Sequence, residues 1–85
     1  MSTKIQTKTV SKVDGWVEVT SIDVNMYQNK GTVDLYIASS DIEPTSTNEA
    51  FKLEPGKEGS YTSTGDSLWV RSFDSEKCGF AYQEV

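Results

Sequence analysis

The sequence predicts an all-β fold, a small antiparallel β-sandwich or barrel of about seven or eight short strands with a flexible N-terminal arm. Apolar residues recur with a period of two in short segments such as WVEVT and TVDLYIA. Most of these segments end at a turn signal, for example NKG or PG. No segment shows a convincing helical period. These patterns leave the choice between a sandwich and a barrel open.

Residues 1–12 are predicted to form a basic, Thr-rich arm, and residues 13–85 a single β-domain. The arm carries Lys4, Lys8 and Lys12, all of which precede the first acidic residue. Its one strand candidate is weak, because it is rich in Thr and poor in large apolar residues. Two interpretations stay open, a solvated terminus and an arm that docks on a neighbouring acidic surface.

The next two strands differ in phase. After a DG turn, the strand at 16–21 places Val17 and Val19 on one face. The segment 22–28 carries its apolar residues at the opposite parity. A phase change of one residue where these segments meet predicts either a bulge or a break between two strands.

The strand at 32–40 has the clearest pattern, with Leu35 and Ile37 on one face. The polar segment SSDIEPTSTNE follows it and is predicted to be an irregular loop. In the short strand AFKLE, Phe51 and Leu53 are predicted to point inward. A PG turn then leads to the last strands, which are predicted at 59–62, 67–73 and 78–85.

Size and charge limit the classes of partner. The chain has 85 residues, enough for one domain, and a net charge of −5 from 13 acidic and 8 basic residues. Nucleic acid is a poor partner for this composition, because phosphate binding requires clustered Lys and Arg. No apolar run approaches the roughly 20 residues that cross a bilayer, and no secretory signal is apparent. We therefore expect synthesis in a cytoplasm and no membrane partner.

The residue types needed for most enzymatic chemistry are missing. The chain has no histidine, and its single cysteine, Cys78, cannot form an intrachain disulfide or a zinc cluster. We interpret Cys78 as a small buried thiol. The carboxylate pairs at 41/43 and 74/76 lie in polar loops, where solvation explains them, although the first loop is also a weak candidate for calcium. We expect no enzyme, no cofactor and no metal.

The strand GDSLWVRSF raises the functional question, because both of its faces carry large side chains. If its leucine marks the core, then Trp69, Arg71 and Phe73 lie on the reverse face. The same parity argument adds Trp16 and Tyr36. These five residues are the predicted oligomer interface, because interfaces are enriched in aromatic residues and arginine.

Two other interpretations of these rings stay open. Large rings at strand ends can swing around an edge to cap the core of a small sandwich. A platform of exposed rings can also bind a sugar. Arg71 is the only arginine among the 8 basic residues, and a planar guanidinium suits a partly buried seam better than open solvent.

Three segments, NKGTVDLYIASS, FKLEPGKEGSY and TGDSLWVRS, resemble a pattern found in small virion structural proteins of tailed bacteriophages. In that pattern an Asn-x-Gly turn leads a Val-x-Leu-Tyr-Ile-(Ala/Gly)-Ser strand, a Leu-x-Pro-Gly turn follows, and a Gly-Asp-x-Leu-Trp-(Val/Ala)-Arg-Ser unit comes last. The resemblance covers Asn29 to Ser72. Its turn positions are matched here by Asn29, Gly31, Pro55, Gly56, Gly65 and Asp66, and its distinctive strand by Trp69 and Arg71.

The resemblance implies a non-enzymatic virion component of the capsid decoration, head-fibre or tail-fibre type, usually trimeric and without catalytic residues. We expect a homotrimeric decoration protein that stabilises the shell and docks on phage capsid protein through Lys4, Lys8 and Lys12. Its location would be the virion, after synthesis in the host cytoplasm. One alternative is a tail- or fibre-associated module that binds a receptor or carbohydrate, and another is a cytosolic β-domain that binds a different protein.

Overall fold

The computed structural model describes residues 5–45, 50–62 and 65–84, and the fold of these residues is all-β. Within these ranges, eight strands form two four-stranded antiparallel sheets, and one core cluster draws side chains from both sheets. The predicted fold class is therefore confirmed. The two sheets form a sandwich with two open sides.

The strands are three to seven residues long. The first sheet contains β1 (Ile5–Val10), β3 (Val24–Asn29), β6 (Glu58–Tyr61) and β8 (Cys78–Glu84). The second sheet contains β2 (Val17–Thr20), β4 (Leu35–Ser40), β5 (Phe51–Leu53) and β7 (Ser67–Ser72). A single 3₁₀ turn, Lys12–Asp14, lies between β1 and β2.

The strand order of the first sheet is β1-β8-β3-β6, and that of the second is β2-β7-β4-β5. A tight turn joins the edge strands β5 and β6, in which Lys57 N donates to Glu54 O at 3.0 Å and Gly56 has a φ of 81°. This is the turn position at which only glycine is unstrained. Because the turn is so short, β5 and β6 lie on the same side of the sandwich, and β1 and β2 lie on the other.

The phase change seen in the sequence is a change of sheet. β2 belongs to the second sheet and β3 to the first, so the chain crosses the sandwich between Thr20 and Val24. β2 also has an irregular register between Glu18 and Thr20. β2 and β3 both point their apolar residues at the shared core, but from opposite sheets. The parity of the apolar positions therefore shifts between these two strands.

The core consists of alternate residues from facing strands. β7 and β4 contribute Leu68, Val70, Leu35 and Ile37 from the second sheet. The first sheet faces them with Val10, Val24, Tyr61, Cys78, Phe80 and Tyr82. The ring of Phe80 lies between those of Tyr27 and Tyr82, with centroid distances of 5.6 and 6.0 Å. Close packing of these groups provides most of the driving force for folding.

The structure corrects the boundary of the predicted arm. β1 pairs with β8 over six consecutive residue pairs, and Val10 is fully buried. Lys12 N donates to Asp74 O at 2.8 Å, so the following turn is also tied to the body. Residues 5–12 therefore belong to the β-domain, and Lys4 lies outside the described residues. β1 was a weak prediction because an edge strand buries little, so its sequence lacks a clear apolar alternation.

Phe51 is a second correction. The alternation in β5 predicts that Phe51 and Leu53 both point inward, and Leu53 is buried as expected. Phe51, however, is 76% exposed. It begins an edge strand at the open side of the sandwich, where no neighbouring strand of the same copy covers it.

Asn29 ties the first sheet to the second at one end of β3. Its side-chain amide donates to the carbonyl oxygens of Val33 and Leu53, both at 2.8 Å, and its carbonyl oxygen accepts from Gly31 N at 2.9 Å. The Cys78 thiol lies 3.2 Å from that same oxygen. Asn29 is 1% exposed, and its bonds to Leu53 and Cys78 are buried, whereas those to Val33 and Gly31 are part-buried.

At the other end of β3, Glu84 makes a second polar tie between the sheets. Its carboxylate accepts from the hydroxyl of Thr20, in the second sheet, and from the side-chain amide of Gln6, in β1. Thr20 is buried, whereas Gln6 is exposed. This tie is therefore closer to solvent than the one made by Asn29, and we expect it to contribute less to stability.

Replacing Asn29 by alanine should lower the free energy of unfolding by about 3 kcal/mol, because two carbonyls and one amide lose their partners inside the protein. Urea denaturation followed by tryptophan fluorescence measures the change. Asn25→Ala is the matched control, since Asn25 is exposed in the same strand, and it should shift stability by no more than about 0.5 kcal/mol. Equal effects of the two substitutions would contradict the role given to Asn29.

Candidate functional site

Four of the five predicted interface residues share the outer face of the second sheet, and the strand register supports the same position for the fifth. Trp69 and Arg71 alternate in β7 with core residues. Tyr36 pairs with Arg71 across β4 and β7. Phe73 follows β7 at the same parity. Continuing the register of β2 by one residue places Trp16 beside Arg71. We call these five residues the outer aromatic face.

The side chains of this face contact one another. The rings of Tyr36 and Phe73 meet edge to face, with centroids 5.2 Å apart and an interplanar angle of 81°. Arg71 Cζ lies 4.6 Å from the centroid of the Phe73 ring, a cation–π contact. Trp69 Nε1 donates to Ser40 O at 2.9 Å. The indole is therefore held in one orientation by its own chain.

The members of the face differ in exposure. Trp16 is 7% exposed and therefore already covered within one copy, as the edge-capping interpretation expects. Tyr36, Trp69 and Arg71 are half-buried. Phe73 is 47% exposed, the largest fraction of the five. The surface open to a partner is thus centred on Phe73 and its three half-buried neighbours.

Arg71 has an unusual electrostatic environment. Its Nε atom is buried and has no hydrogen-bond acceptor. Among residues 5–45, 50–62 and 65–84, the guanidinium of Arg71 contacts one side chain, the ring of Phe73. A buried donor without an acceptor destabilises by about 1–3 kcal/mol.

Two charged residues at the margins of this face were missed by the sequence analysis. Glu18 in β2 pairs with Trp69, and Lys52 in β5 pairs with Tyr36, so both lie at the outward parity. Both side chains are exposed. Their parity was visible in WVEVT and AFKLE, where each alternates with apolar residues. Their placement on one face required the strand order.

Two lysines of the predicted docking arm, Lys8 and Lys12, lie in the β-domain. Lys8 lies in β1, half-buried and opposite Phe80 of β8, so its side chain starts from the core side of an edge strand. Lys12 is exposed in the 3₁₀ turn. An inward charge at a sheet edge discourages pairing with other strands.

The other candidate sites from the sequence are the carboxylate pairs at 41/43 and 74/76. In the described part of the chain, no group of three or more Cys, Asp or Glu side chains could hold a metal ion. Asp74 Oδ1 accepts from Glu76 N at 2.8 Å, which is a local turn. Asp41 and Glu43 are exposed. No helix among the described residues is long and apolar enough to cross a membrane.

Cys78 lies in the core, as predicted from the sequence. The residue is fully buried, and an added Cβ on Gly31 would lie 2.2 Å from its sulfur. Burial raises the pKa of the Cys78 thiol above its ordinary value, more than the nearby backbone of Val33 lowers it. The thiol therefore stays protonated at neutral pH.

Comparison with known proteins gives no match: no family model, curated protein or solved structure is significantly similar to this chain.

The buried thiol predicts a loss of stability in alkali. A raised folded pKa contributes stability that is fully present below the unfolded pKa, near 8.5, and is lost as the pH rises through the folded pKa. Burial also raises the pKa values of Tyr27 and Tyr82, which adds a loss above about pH 10. Urea denaturation from pH 7 to 10 should show stability falling above about pH 8.5.

Cys78→Ala should reduce the fall between about pH 8.5 and 9.5, even though the smaller side chain lowers stability at every pH. Ellman's reagent should find the wild-type thiol inaccessible when folded and reactive in guanidinium chloride. An equal pH dependence in the variant and the wild type would show that this thiol is not the group responsible.

Proposed function

We propose that this chain is a non-enzymatic structural protein of a tailed-bacteriophage virion, a capsid decoration protein that forms a homotrimer and stabilises the shell. The support is twofold. The segments that carry the resemblance supply β4, β5, β6 and β7, and so include three of the four strands of the second sheet. The outer face of that sheet carries the rings and the arginine expected of an interface.

The observation that carries the self-association is the outer aromatic face. Phe73 stays 47% exposed although it already contacts Tyr36 and Arg71. Covering one such ring contributes about 1–3 kcal/mol. A partner copy would also offer acceptors to the half-buried guanidinium of Arg71. One surface therefore gains both apolar burial and hydrogen bonds when another copy covers it.

Association would matter energetically for a domain of this size. An 85-residue chain has a folding free energy of only about 4–12 kcal/mol by per-residue scaling. A ligand or subunit that binds only the folded state raises its stability through mass action. A homotrimer would thus supply stability that a small core without disulfides supplies only in part.

Docking on the shell is the second half of the proposal. The partner is phage capsid protein, and the mature location is the virion. The basic side chains toward the N-terminus, Lys8 and Lys12 with Lys4 before them, are set apart from the acidic body of the chain. They would bind an acidic surface of the capsid protein. In the folded domain, Lys8 does so from β1 and Lys12 from the 3₁₀ turn after it.

A carbohydrate-binding module is less well supported by the geometry. A sugar ring stacks on an open aromatic face, whereas the Phe73 ring is already stacked by Arg71 and contacted by Tyr36. The indole of Trp16 is buried. The surface thus suits a shaped protein partner better than a flat sugar platform.

The self-association can be tested with two exposed phenylalanines. Phe73→Ser should weaken oligomer formation by at least about tenfold, because it removes the largest open ring of the face. Phe51→Ser removes a ring that is 76% exposed but lies at the open side of the sandwich, outside the outer aromatic face. It should leave oligomer formation unchanged. Light scattering and sedimentation over a range of concentrations measure both, with a trimer expected for the wild type.

The virion role requires its own experiment. The wild-type protein should be found in purified phage particles, and purified protein should bind particles that lack it. Combined replacement of Lys8 and Lys12 by Glu should weaken that binding while leaving the oligomer intact. Absence from particles, together with fluorescence quenching by polysaccharide, would favour the receptor-binding alternative instead.

A further inference from the structure

The outer aromatic face has opposite charges at its two margins. Glu18 belongs to β2 and Lys52 to β5, and these are the two edge strands of the second sheet. Their pairing with Trp69 and Tyr36 places both on the outer side of that sheet. Glu18 at one margin and Lys52 at the other therefore border the same group of rings, and the exposed Glu54 follows Lys52 at the same parity.

Both charges are free to meet a partner. Each side chain is exposed. Neither forms an ion pair with another residue in the described part of the chain. Between them lie Trp69, Arg71 and the half-buried Tyr36. An incoming surface that covers the rings must approach both margins at once.

The charges discriminate among ways of joining two copies through this face. A twofold axis in the interface and perpendicular to the strands brings β2 against β2, which puts Glu18 near Glu18 and Lys52 near Lys52. A twofold or threefold axis parallel to the strands brings the β2 margin of one copy toward the β5 margin of the next. Only this second arrangement makes opposite charges meet, and like charges oppose the first.

We propose that the outer aromatic face is covered by further copies of this chain related by an axis parallel to the strands of the second sheet, so that Glu18 of each copy pairs with Lys52 of its neighbour. The proposal rests on the self-association proposed above and specifies its geometry. Glu18 and Lys52 lie on adjacent rows of the sheet, and the length of the two side chains spans that offset.

The central residues fit the same arrangement. Rotation about an axis parallel to the strands turns β7 of one copy toward β4 of another. Arg71 then approaches the ring of Tyr36 in the other copy, where its planar guanidinium can stack or find acceptors. The half-buried guanidinium of Arg71 and the charged margins thereby gain partners in one operation.

Charge reversal tests the pairing. Glu18→Lys and Lys52→Glu should each weaken self-association about tenfold, because each places like charges across the seam. The double variant, which exchanges the two charges, should return to within about threefold of the wild type. Sedimentation at low salt gives the association constants, and circular dichroism verifies that each variant is folded.

Matched controls separate the pairing from a general effect of net charge. Glu58→Lys and Lys30→Glu change the net charge by the same amounts, and both residues are exposed. Glu58 begins β6 of the first sheet, and Lys30 lies in the turn after β3. They should leave association unchanged. Single reversals no stronger than these controls, or a double variant as weak as the singles, would overturn the proposal.

Mixing the two single variants gives a further readout. Glu18→Lys presents two basic margins and Lys52→Glu two acidic ones, so a heterodimer of the variants has every pair restored. In a mixed trimer one of the three seams must still join identical copies, so the rescue is incomplete. Native mass spectrometry should show mixed oligomers in excess of either homo-oligomer, and a statistical mixture would contradict the pairing.

The two proposals fail differently. A wild-type protein that stays monomeric at high concentration removes both the self-association and its geometry. A wild-type oligomer that depends on Phe73 but not on the margin charges keeps the self-association and rejects the axis. A dimer in place of a trimer corrects the stoichiometry and leaves the pairing in place, because a twofold and a threefold axis parallel to the strands bring the same margins together.

Discussion

The buried amide of Asn29 fixes how the two sheets are held together. Apolar packing alone tolerates small shifts of one sheet over another, because it is not directional. Asn29 removes that freedom: its backbone belongs to β3, while its side chain donates to Val33 and Leu53 on the other side of the core. Gly31 follows so closely that an added Cβ would lie 2.2 Å from the sulfur of Cys78. The bonds of Asn29 and the close approach of Gly31 therefore fix how the two sheets, and with them their outer faces, are positioned relative to each other.

The sequence predicts most of the fold because alternation is a local property. The patterns around Leu35 and Leu68 indicate their strands directly, and the phase change before Val24 marks the passage from one sheet to the other. The failures are at edges. β1 is largely exposed and so has no apolar period to read, and Phe51 alternates with Leu53 yet projects from the open side. Such outcomes depend on which strands are neighbours, which no short segment encodes.

Some residues of the candidate site could likewise be predicted from local alternation, whereas others depend on which strands are neighbours. Parity within β7 is enough to predict that Trp69, Arg71 and Phe73 share a face. The burial of Trp16 and the exposure of the margin residues follow only from the order β2-β7-β4-β5, in which β4 and β5 alone are consecutive in the chain. Sequence reasoning therefore finds the strand that carries the rings but not the surface they form. Electrostatic matching at that surface is a property of the assembled sheet.

The edges of the sandwich help to explain why association would use a face. β5 has three residues, β1 has an inward-starting lysine, Lys8, and β6 contains Gly59, so each offers a poor template for another strand. Where β1 pairs with β8, the outer side of the first sheet carries Ile5 beside Gln83, Thr7 beside Ala81 and Thr9 beside Gly79, with no aromatic ring in these pairs. The outer aromatic face is the surface that combines large rings with a guanidinium lacking an acceptor. Covering the half-buried guanidinium removes water from it, so only a partner with a correctly placed acceptor offsets its desolvation. The same arginine that weakens the isolated copy thus restricts which surface can cover it.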